Sequence, residues 1–291
     1  MTDVLIVAHH LRSEAGALAR AAADWLHEHG HRAFMPPGDA KALGLDDLAR
    51  APSERPPELA ISLGGDGTVL RTVQLLDGAP VPLLAVNVGL LGYLAELDPP
   101  GLVPALEHWF SAGADGRRDV DVEIDERMML DAVVHVRATG DEQRFRALNE
   151  GVVEKHESGH MVRLVVGIDG ATFTSYAADG LIVATPTGST AYSLSAHGPV
   201  ISPRHRAILL TPVSPHMLFD RSLVLDPDEE VRVEVAGQRP VRLAIDGRPV
   251  ATLAEGDTVS FRPSAAVARF VRFGRRRFHQ ILKAKFGLSD R

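Results

Sequence analysis

Residues 59–68 read Leu59-Ala60-Ile61-Ser62-Leu63-Gly64-Gly65-Asp66-Gly67-Thr68. The first five residues are apolar or small, which predicts a strand buried on both faces of a parallel sheet. The glycines that follow permit positive φ angles and let a ligand approach the main chain. A helix beginning beyond them offers free N–H groups and a positive dipole end, which together suit a phosphate. Two interpretations stay open, a phosphate site and a tight turn in which Asp66 caps the helix.

Asp66 is an unusual residue for a simple phosphate cradle. A carboxylate repels a bound phosphate unless the carboxylate binds a metal ion or accepts a proton. Both roles fit phosphoryl transfer to a hydroxyl, in which a carboxylate orients or deprotonates the nucleophile. Arg71 lies one turn into the predicted helix, where it either reaches a phosphate or belongs to a solvated helix face.

Around this turn, the first third of the chain alternates strand and helix patterns. Apolar runs at 4–8 and 81–88 predict further buried strands, and 13–29 and 102–110 predict helices. This alternation indicates a Rossmann-like parallel sheet with helices on its faces. Near residue 118 the pattern changes to Asp119-Val120-Asp121-Val122-Glu123-Ile124-Asp125, whose period of two is typical of a half-buried strand.

The later chain is mostly strand-like, with one predicted strand at 144–154 and one helix after Gly188. We therefore expect an α/β fold of two domains. Residues 1–118 form the parallel-sheet domain that carries the glycine-rich turn, and residues 119–265 form a predominantly antiparallel β domain.

Composition narrows the class of protein. The chain has 291 residues, 45% hydrophobic and 24% charged, which are ordinary values for a two-domain globular protein. The absence of cysteine excludes disulfides, zinc–thiolate sites and a cysteine nucleophile. A net charge of −7 argues against a nucleic-acid partner. Without a signal-peptide pattern or a long apolar run, we expect a cytoplasmic protein with no membrane partner.

A second cluster of candidate binding residues reads Thr185-Pro186-Thr187-Gly188-Ser189-Thr190-Ala191-Tyr192. Ser189 and Thr190 fit helix caps. Small hydroxyls, a glycine and an aromatic ring equally suit a ribose and adenine pocket, because they supply hydrogen bonds, close backbone approach and a stacking face. Ser195 lies one helical turn beyond Ala191 and points the same way.

With these motifs in this order, the chain resembles the NAD kinases, which phosphorylate the adenosine ribose 2′-hydroxyl of NAD. The turn alone is shared with diacylglycerol kinases and resembles a loop of phosphofructokinases, so it indicates only that superfamily. Residues 185–192 are more specific and, with Asn149 and Glu150, carry the resemblance. It covers nearly the whole chain, through the segments 64–68, 86–94, 148–150, 179–180, 185–192, 195–199, 211–216 and 245–247.

The resemblance implies an enzyme that transfers the γ-phosphate of ATP to NAD and forms NADP. It makes Asp66 the catalytic residue, as base or positioning carboxylate, with Mg²⁺ or another divalent cation neutralising the phosphates. No side chain is predicted as a metal ligand. The nucleotide-binding residues it implies are Gly65, Gly67, Arg71, Asn149, Glu150, His160, Ala177, Asp179, Thr187, Thr190, Ala191, Tyr192, Ser193, Leu194, Ser195, Ser214 and Asp246.

The resemblance leaves several properties open. Polyphosphate is an alternative donor to ATP, and the expected assembly is a homodimer or homotetramer. Ala177 stands where some members that use only NAD have arginine, which suggests room for NADH as a second acceptor. His197 stands where glycine is usual in that family, and its side chain opposes a close backbone approach at that position.

The C-terminal tail is basic, with no acidic residue between Asp257 and Asp290. Its interleaved phenylalanines favour a packed strand and helix over a nucleic-acid site, and the resemblance implies that residues 266–291 return to the first domain. Two other classes of protein remain. A kinase with a lipid or sugar acceptor would share the turn without needing 185–192, whereas a non-catalytic NAD(P) sensor would gain nothing from Asp66.

Overall fold

The computed structural model describes residues 1–51, 55–111, 122–157, 159–274 and 277–288. The chain divides into two compact units, which we call unit 1 (Met1–Glu126 with Ala268–Arg291) and unit 2 (Arg127–Val267). The boundary predicted at residue 118 lies outside the described residues, as do Asp119, Val120 and Asp121 of the alternating stretch. The described end of that stretch belongs to one long strand, β5 (Glu123–His135).

Unit 1 contains a parallel sheet. Its strands β1 (Asp3–Ala8), β2 (Arg32–Phe34), β3 (Leu59–Gly64) and β4 (Pro82–Asn87) pair in the order β2-β1-β3-β4. Every residue of β3 is buried, as expected for a parallel strand covered on both faces. The helices that follow these strands are α1 (Ser13–Glu28), α2 (Pro37–Leu43), α3 (Asp66–Leu76) and α4 (Leu102–Ser111).

Helix α2 was not predicted, because Pro36-Pro37-Gly38 resembles a loop in the sequence. The helix begins at Pro37, where proline is tolerated because the first turn of a helix does not use its N–H groups. Gly44 ends it in the left-handed conformation, with φ 68°. Proline and glycine therefore bracket this short helix.

Unit 2 is mostly antiparallel β-structure. Its strands after β5 are β6 (Glu142–Ala147), β7 (Glu150–Lys155), β8 (Val162–Ile168), β9 (Ala171–Ala178), β10 (Gly180–Ala184), β11 (Ile208–Val213), β12 (Leu223–Leu225), β13 (Val231–Val235), β14 (Val241–Ile245), β15 (Arg248–Leu253) and β16 (Thr258–Arg272). One sheet has the order β12-β11-β10-β7-β14-β15. Among the other strands, β8 pairs with β9 and β13, β13 with β16, and β5 with β6. A core of buried side chains that includes Tyr176, Leu210 and Phe261 joins these strands.

The single strand predicted at 144–154 is two strands. β6 and β7 lie in different sheets, and the chain breaks between them at Leu148 and Asn149. The apolar pattern does not show this break, because Leu148 is buried like a strand residue. The predicted helix after Gly188 is also shorter than expected, a 3₁₀ turn at Gly188–Thr190 followed by α5 (Tyr192–Ser195).

The C-terminal tail returns to unit 1, as the resemblance implied. The end of β16 pairs in parallel with β4, with Arg269 opposite Pro82 and Phe270 opposite Leu83. Helix α6 (Phe278–Phe286) follows and ends at Gly287. The predicted fold class is therefore confirmed: a parallel α/β domain, an antiparallel β domain and a returning tail. Within the described ranges, no helix combines the length and apolar character that a membrane span requires.

Candidate active site

The glycine-rich turn of unit 1 connects β3 to α3. Gly65 is the N-cap residue and Asp66 is the first residue of the helix, so the interpretation of Asp66 as the cap is wrong. At Gly64 a Cβ atom would overlap the side chain of Thr68, whereas at Gly65 and Gly67 it would meet no atom within 4 Å. The main chain of the turn is therefore open at Gly65 and Gly67, where a ligand can approach it.

This openness gives a test of phosphate binding at the turn. We expect Gly65→Ala to fold normally, because the backbone there is extended and the added Cβ meets no protein atom. If ATP phosphates approach the main chain here, as the resemblance implies, the added methyl group takes up part of their space, and the KM for ATP should rise about tenfold, or about 1.4 kcal/mol. Gly38→Ala in α2 also adds a Cβ to open space and is the control. An unchanged KM in Gly65→Ala would show that the phosphates do not approach Gly65.

The Asp66 carboxylate is bound by the backbone of the segment that follows β4. The N–H of Tyr93 donates to both oxygens at 3.1 and 2.9 Å, and the N–H of Leu94 donates to Oδ1 at 3.0 Å. A Cβ at Gly92 would overlap the carboxylate. Glycine at position 92 therefore lets the 92–94 backbone approach Asp66 closely enough to fix its side chain.

Arg71 has protein partners that the sequence did not indicate. Its guanidinium donates to both oxygens of Asp39, at 2.8 and 2.6 Å, and to the carbonyl oxygen of Ala8 at 2.6 Å. The side chain is 21% exposed, so the interpretation as a solvated helix face is wrong. The predicted phosphate contact would require Arg71 to give up part of this set, since the charged pair holds α3 to α2 and to the end of β1.

In unit 2, Asp246 organises the Asn149–Glu150 motif. Asp246 and Gly247 have φ angles of 47° and 77° in the tight turn between β14 and β15, which suits Asp-Gly. The Asp246 carboxylate accepts the N–H groups of Leu148, Asn149 and Glu150 at 2.9, 2.8 and 3.2 Å. Its oxygens are thus engaged by the break between β6 and β7, and it presents Asn149 and Glu150 rather than an unoccupied carboxylate.

Glu150 is a buried acid, 5% exposed. Burial, and then the neighbouring charge of Asp246, raise its pKa to about 8, although the backbone N–H of Tyr192 favours the charged form. Among the described residues, its Oε2 atom has no hydrogen-bond partner. A protonated Glu150 at neutral pH has a hydroxyl to donate, which suits a ligand oxygen or ring nitrogen.

The raised pKa predicts a pH-dependent stability. Unfolded Glu150 releases its proton near 4.5 and folded Glu150 near 8, so folding takes up a proton between these values. The free energy of unfolding should therefore fall as the pH rises through that window, by up to about 1.4 kcal/mol per pH unit. We expect Glu150→Gln to remove this loss and to melt higher than wild type above pH 8. Glu157→Gln, at an exposed residue, is the control. The same dependence of melting temperature on pH in all three proteins would contradict the prediction.

Residues 185–192 pack against the same motif. Thr185 Oγ1 donates to the carbonyl of Leu148 at 2.6 Å and accepts the N–H of Gly188 at 3.1 Å. A Cβ at Gly188 would overlap the backbone of Asn149. Ser189 and Thr190 do not cap α5, whose N-cap is Ala191. Ser189 instead bonds the backbone of Ile201, at 3.0 and 3.1 Å, which ties the segment to the following loop.

The other predicted residues of unit 2 fall into two groups. Ser193 is buried, and its hydroxyl shares a hydrogen bond with that of Thr211, with Oγ and Oγ1 3.1 Å apart. Thr187 is also buried, and Leu194 is half-buried. Tyr192 and Ser195 are exposed on the short helix, where a ligand can reach them. His197 has φ 64°, which explains why glycine suits that position.

Lys155, which was not among the predicted site residues, interacts with both Asp179 and Tyr192. Lys155 Nζ lies 2.7 Å from Asp179 Oδ1. Burial raises the pKa of the Tyr192 phenol, and the charges of Glu154, Asp179 and Glu150 raise it further against the opposing effect of Lys155. The sequence did point to Lys155, because it is one of four lysines in the chain and lies on the same strand as Glu150, β7.

Three other residues predicted to bind the nucleotide make fewer contacts with the residues described above. Ala177 lies in β9, half-buried, and its carbonyl accepts the N–H of His216 at 2.7 Å. Ser214 has φ 46° in the loop that leads to His216. His160 is exposed before β8. Among the described residues, no three His, Asp or Glu side chains form a group that could hold a metal ion.

Comparison with known proteins identifies the family. Residues 4–114 match the ATP-NAD kinase N-terminal domain, and residues 148–273 match the ATP-NAD kinase C-terminal domain. The NAD kinase of Heliobacterium modesticaldum is 37% identical over 292 residues, covering 98% of each chain. The NAD kinase of Leifsonia xyli subsp. xyli is 38% identical over 298 residues, covering 98% of this chain and 94% of that protein.

Solved structures of related proteins have the same fold. Yeast NADH kinase complexed with NADH superposes with a TM-score of 0.87 at 26% identity, covering 100% of this chain and 89% of that one. An NAD kinase from Archaeoglobus fulgidus in complex with ATP has a TM-score of 0.68 at 22% identity, covers 99% and 98%, and is alike in fold. The fold and these matches define a phosphotransferase. The chain belongs to the NAD kinase family, as the sequence resemblance predicted.

Proposed function

We propose that this chain transfers the γ-phosphate of ATP to the 2′-hydroxyl of the adenosine ribose of NAD, giving NADP and ADP. One observation carries the proposal: a carboxylate, Asp66, is fixed by two backbone N–H groups at the start of α3 and beside an open glycine-rich turn. A protein that only bound nucleotides would gain nothing from a negative charge placed there. The family and its NAD kinase relatives support the same conclusion.

The donor is held at the turn in this proposal. The open backbone at Gly65 and Gly67 and the N-terminus of α3 bind the phosphates of ATP. A divalent cation, Mg²⁺ in our proposal, neutralises charge on the phosphates when bound. Its oxygen ligands would come from the phosphates and from water, because Mg²⁺ binds substrate phosphates and usually keeps several waters. Asp66 orients the 2′-hydroxyl or removes its proton.

The acceptor is bound by residues of unit 2. Asn149 and protonated Glu150 hydrogen-bond the ribose and adenine, and the exposed Tyr192 ring offers a stacking face. Asp179, restrained by Lys155, accepts a hydrogen bond from an amide group of the dinucleotide. Thr190, Ala191, Leu194 and Ser195 complete the binding surface, and the buried Thr187 supports it from beneath. Positioning, rather than covalent chemistry, is what these side chains contribute.

One assay tests the proposal. The protein is incubated with ATP, Mg²⁺ and NAD, and NADP is detected with an NADP-specific dehydrogenase. NADP formation at a rate proportional to enzyme is the expected result. Phosphorylation of a lipid or sugar without NADP would instead favour the related kinases. Tight NADP binding without turnover would favour a nucleotide sensor. Replacing ATP by polyphosphate in the same assay determines the donor.

We also propose that NADH is a second acceptor, because Ala177 leaves space where some relatives have arginine. The yeast neighbour is an NADH kinase complexed with NADH. We expect Ala177→Arg to lower kcat/KM for NADH at least about tenfold relative to NAD, which is what about 1.4 kcal/mol of differential binding produces. Ala171→Arg, at the exposed start of β9, is the control. An unchanged NADH to NAD ratio in Ala177→Arg would show that this position does not select the acceptor.

We propose a homodimer or homotetramer in the cytoplasm. Large apolar side chains are exposed in unit 2, where Phe173 contacts Phe219 ring to ring and Leu218 is fully exposed. Exposed apolar groups of this kind are typical of interfaces between subunits. The mass of the particle by sedimentation equilibrium distinguishes these assemblies from a monomer.

A further inference from the structure

The C-terminal tail contacts the backbone segment that binds Asp66. Within unit 1, the guanidinium of Arg272 donates through Nη1 to the carbonyl oxygen of Leu94 at 2.9 Å. The next N–H along the tail, that of Phe273, donates to Glu96 Oε2 at 3.1 Å. From helix α6, Lys285 Nζ lies 4.4 Å from the centre of the Tyr93 ring. Residues 93–96 are thus held from the tail at three points.

Of the three tail residues that make these contacts, Arg272 is the most restrained. Its Nε atom lies 3.3 Å from Asp125 Oδ2, and the two side chains are only 13% and 11% exposed. A guanidinium has planar, fixed donor directions, so pairing with Asp125 sets the direction of the N–H bond toward Leu94. Burial limits competition from water, and the arrangement is therefore well defined rather than a mobile surface pair.

Leu94 connects this arginine to the Asp66 carboxylate. The carbonyl of Leu94 accepts from Arg272, and the N–H of the same residue donates to Asp66 Oδ1 at 3.0 Å. Because the Leu94 side chain is 3% exposed, the residue has little freedom to rotate about its backbone. The N–H and the carbonyl of Leu94 belong to two adjacent peptide planes that meet at its Cα, so a restraint on the carbonyl narrows the φ and ψ angles open to Leu94 and, with them, the directions that its N–H can take.

We propose that Arg272 is a positioning residue for phosphoryl transfer. Held by Asp125, it orients the Tyr93–Leu94 backbone, which in turn aims the Asp66 carboxylate at the reacting hydroxyl. The inference rests on the proposed function and names the part of the tail that serves it. Misplacing a reacting group by about 1 Å can lower a rate about 100-fold, so an effect through two hydrogen bonds is large enough to measure.

The test compares two arginines on the same strand. Arg269 lies three residues before Arg272 in β16 and pairs with the exposed Glu126 at 3.0 Å, on the other side of the strand from the Leu94 contact. We expect Arg272→Gln to lower kcat for NADP formation about 10- to 100-fold, with KM values for ATP and NAD within about twofold of wild type. Arg272→Lys, which keeps the positive charge and an N–H donor group but not the planar guanidinium, should recover part of the rate. Arg269→Gln makes the same charge change and should stay within about twofold of wild type.

A double-mutant cycle separates positioning from general structural damage. If Arg272 acts through Asp66, then Arg272→Gln should lower the residual kcat of Asp66→Asn by less than about twofold, because the group it aims has gone. An equal loss in both backgrounds would overturn the proposal. So would a rise in KM at unchanged kcat, or the same loss in Arg269→Gln. If Arg272→Gln does not fold, Arg272→Lys is put through the same cycle. A wild-type protein that makes no NADP would contradict the proposed function itself, which is a different result.

Discussion

Replacing Asp66 by asparagine is expected to lower kcat for NADP formation by about 10²- to 10⁴-fold, the usual contribution of a positioned acid or base. Asparagine has nearly the same shape and keeps one oxygen to accept the N–H groups of Tyr93 and Leu94. The fold should therefore survive, with a melting temperature within a few degrees of wild type. What the variant loses is the negative charge that orients or deprotonates the 2′-hydroxyl.

The control is Asp77→Asn, at the opposite end of α3. It makes the same change of charge at an exposed residue whose φ of 44° asparagine tolerates. Initial rates at saturating ATP, Mg²⁺ and NAD measure kcat, and titration with NAD measures binding. If Asp66→Asn retains wild-type kcat, Asp66 is not the catalytic carboxylate, and the role must pass to another residue.

Replacing Asp246 by alanine is expected to destabilise the protein by about 3–5 kcal/mol. The substitution leaves the N–H groups of Leu148, Asn149 and Glu150 without the carboxylate that accepts them, and buried unpaired groups are each destabilising by about 1–3 kcal/mol. It also puts alanine at a φ of 47°, which disfavours a side chain without a local hydrogen bond. The melting temperature should fall on the order of 10 °C, and the KM for NAD should rise as the 149–150 backbone loosens.

A matched turn provides the control for Asp246. Asp169 and Gly170 have φ angles of 47° and 77°, the same as Asp246 and Gly247, but the Asp169 carboxylate accepts a single exposed N–H, from Glu230. Asp169→Ala therefore carries the same backbone strain and loses one surface hydrogen bond. We expect about 1–2 kcal/mol of destabilisation and an unchanged KM for NAD. Equal effects of the two variants would mean that the buried N–H groups matter less than the turn.

Much of the secondary structure of this protein could be predicted from its sequence by local rules. The glycine-rich turn, the strand before it and the alternation of strands and helices in the first third follow from burial and backbone rules that act over a few residues. The strand-like character predicted for the later chain follows from the same rules. The family resemblance supplied the substrate, which no local rule contains.

The parts that escaped prediction depend on contacts distant in the chain. From the sequence, Arg71 was predicted to be a phosphate ligand or a surface residue. Only the fold shows that it pairs with Asp39, 32 residues earlier. The sequence pattern placed Leu148 in the middle of a strand. In the structure, its N–H donates to the carboxylate of Asp246, 98 residues later. Asp246 itself reads as a nucleotide ligand, because sequence shows a carboxylate but not the backbone groups that occupy it. Such partners are fixed by the tertiary fold alone.

The pairing of β16 with β4 has a consequence for how the chain is made. β1 to β4 are complete once residue 87 has been synthesised, yet β16, which pairs with β4 on the edge away from β3, arrives only at residues 269–270. Until then, the Pro82–Leu83 part of that edge has unpaired backbone groups, and an open strand edge favours association with other chains. The nascent protein must keep this edge protected while the whole of unit 2 is synthesised. Completion of the first sheet thus waits until unit 2 has been synthesised.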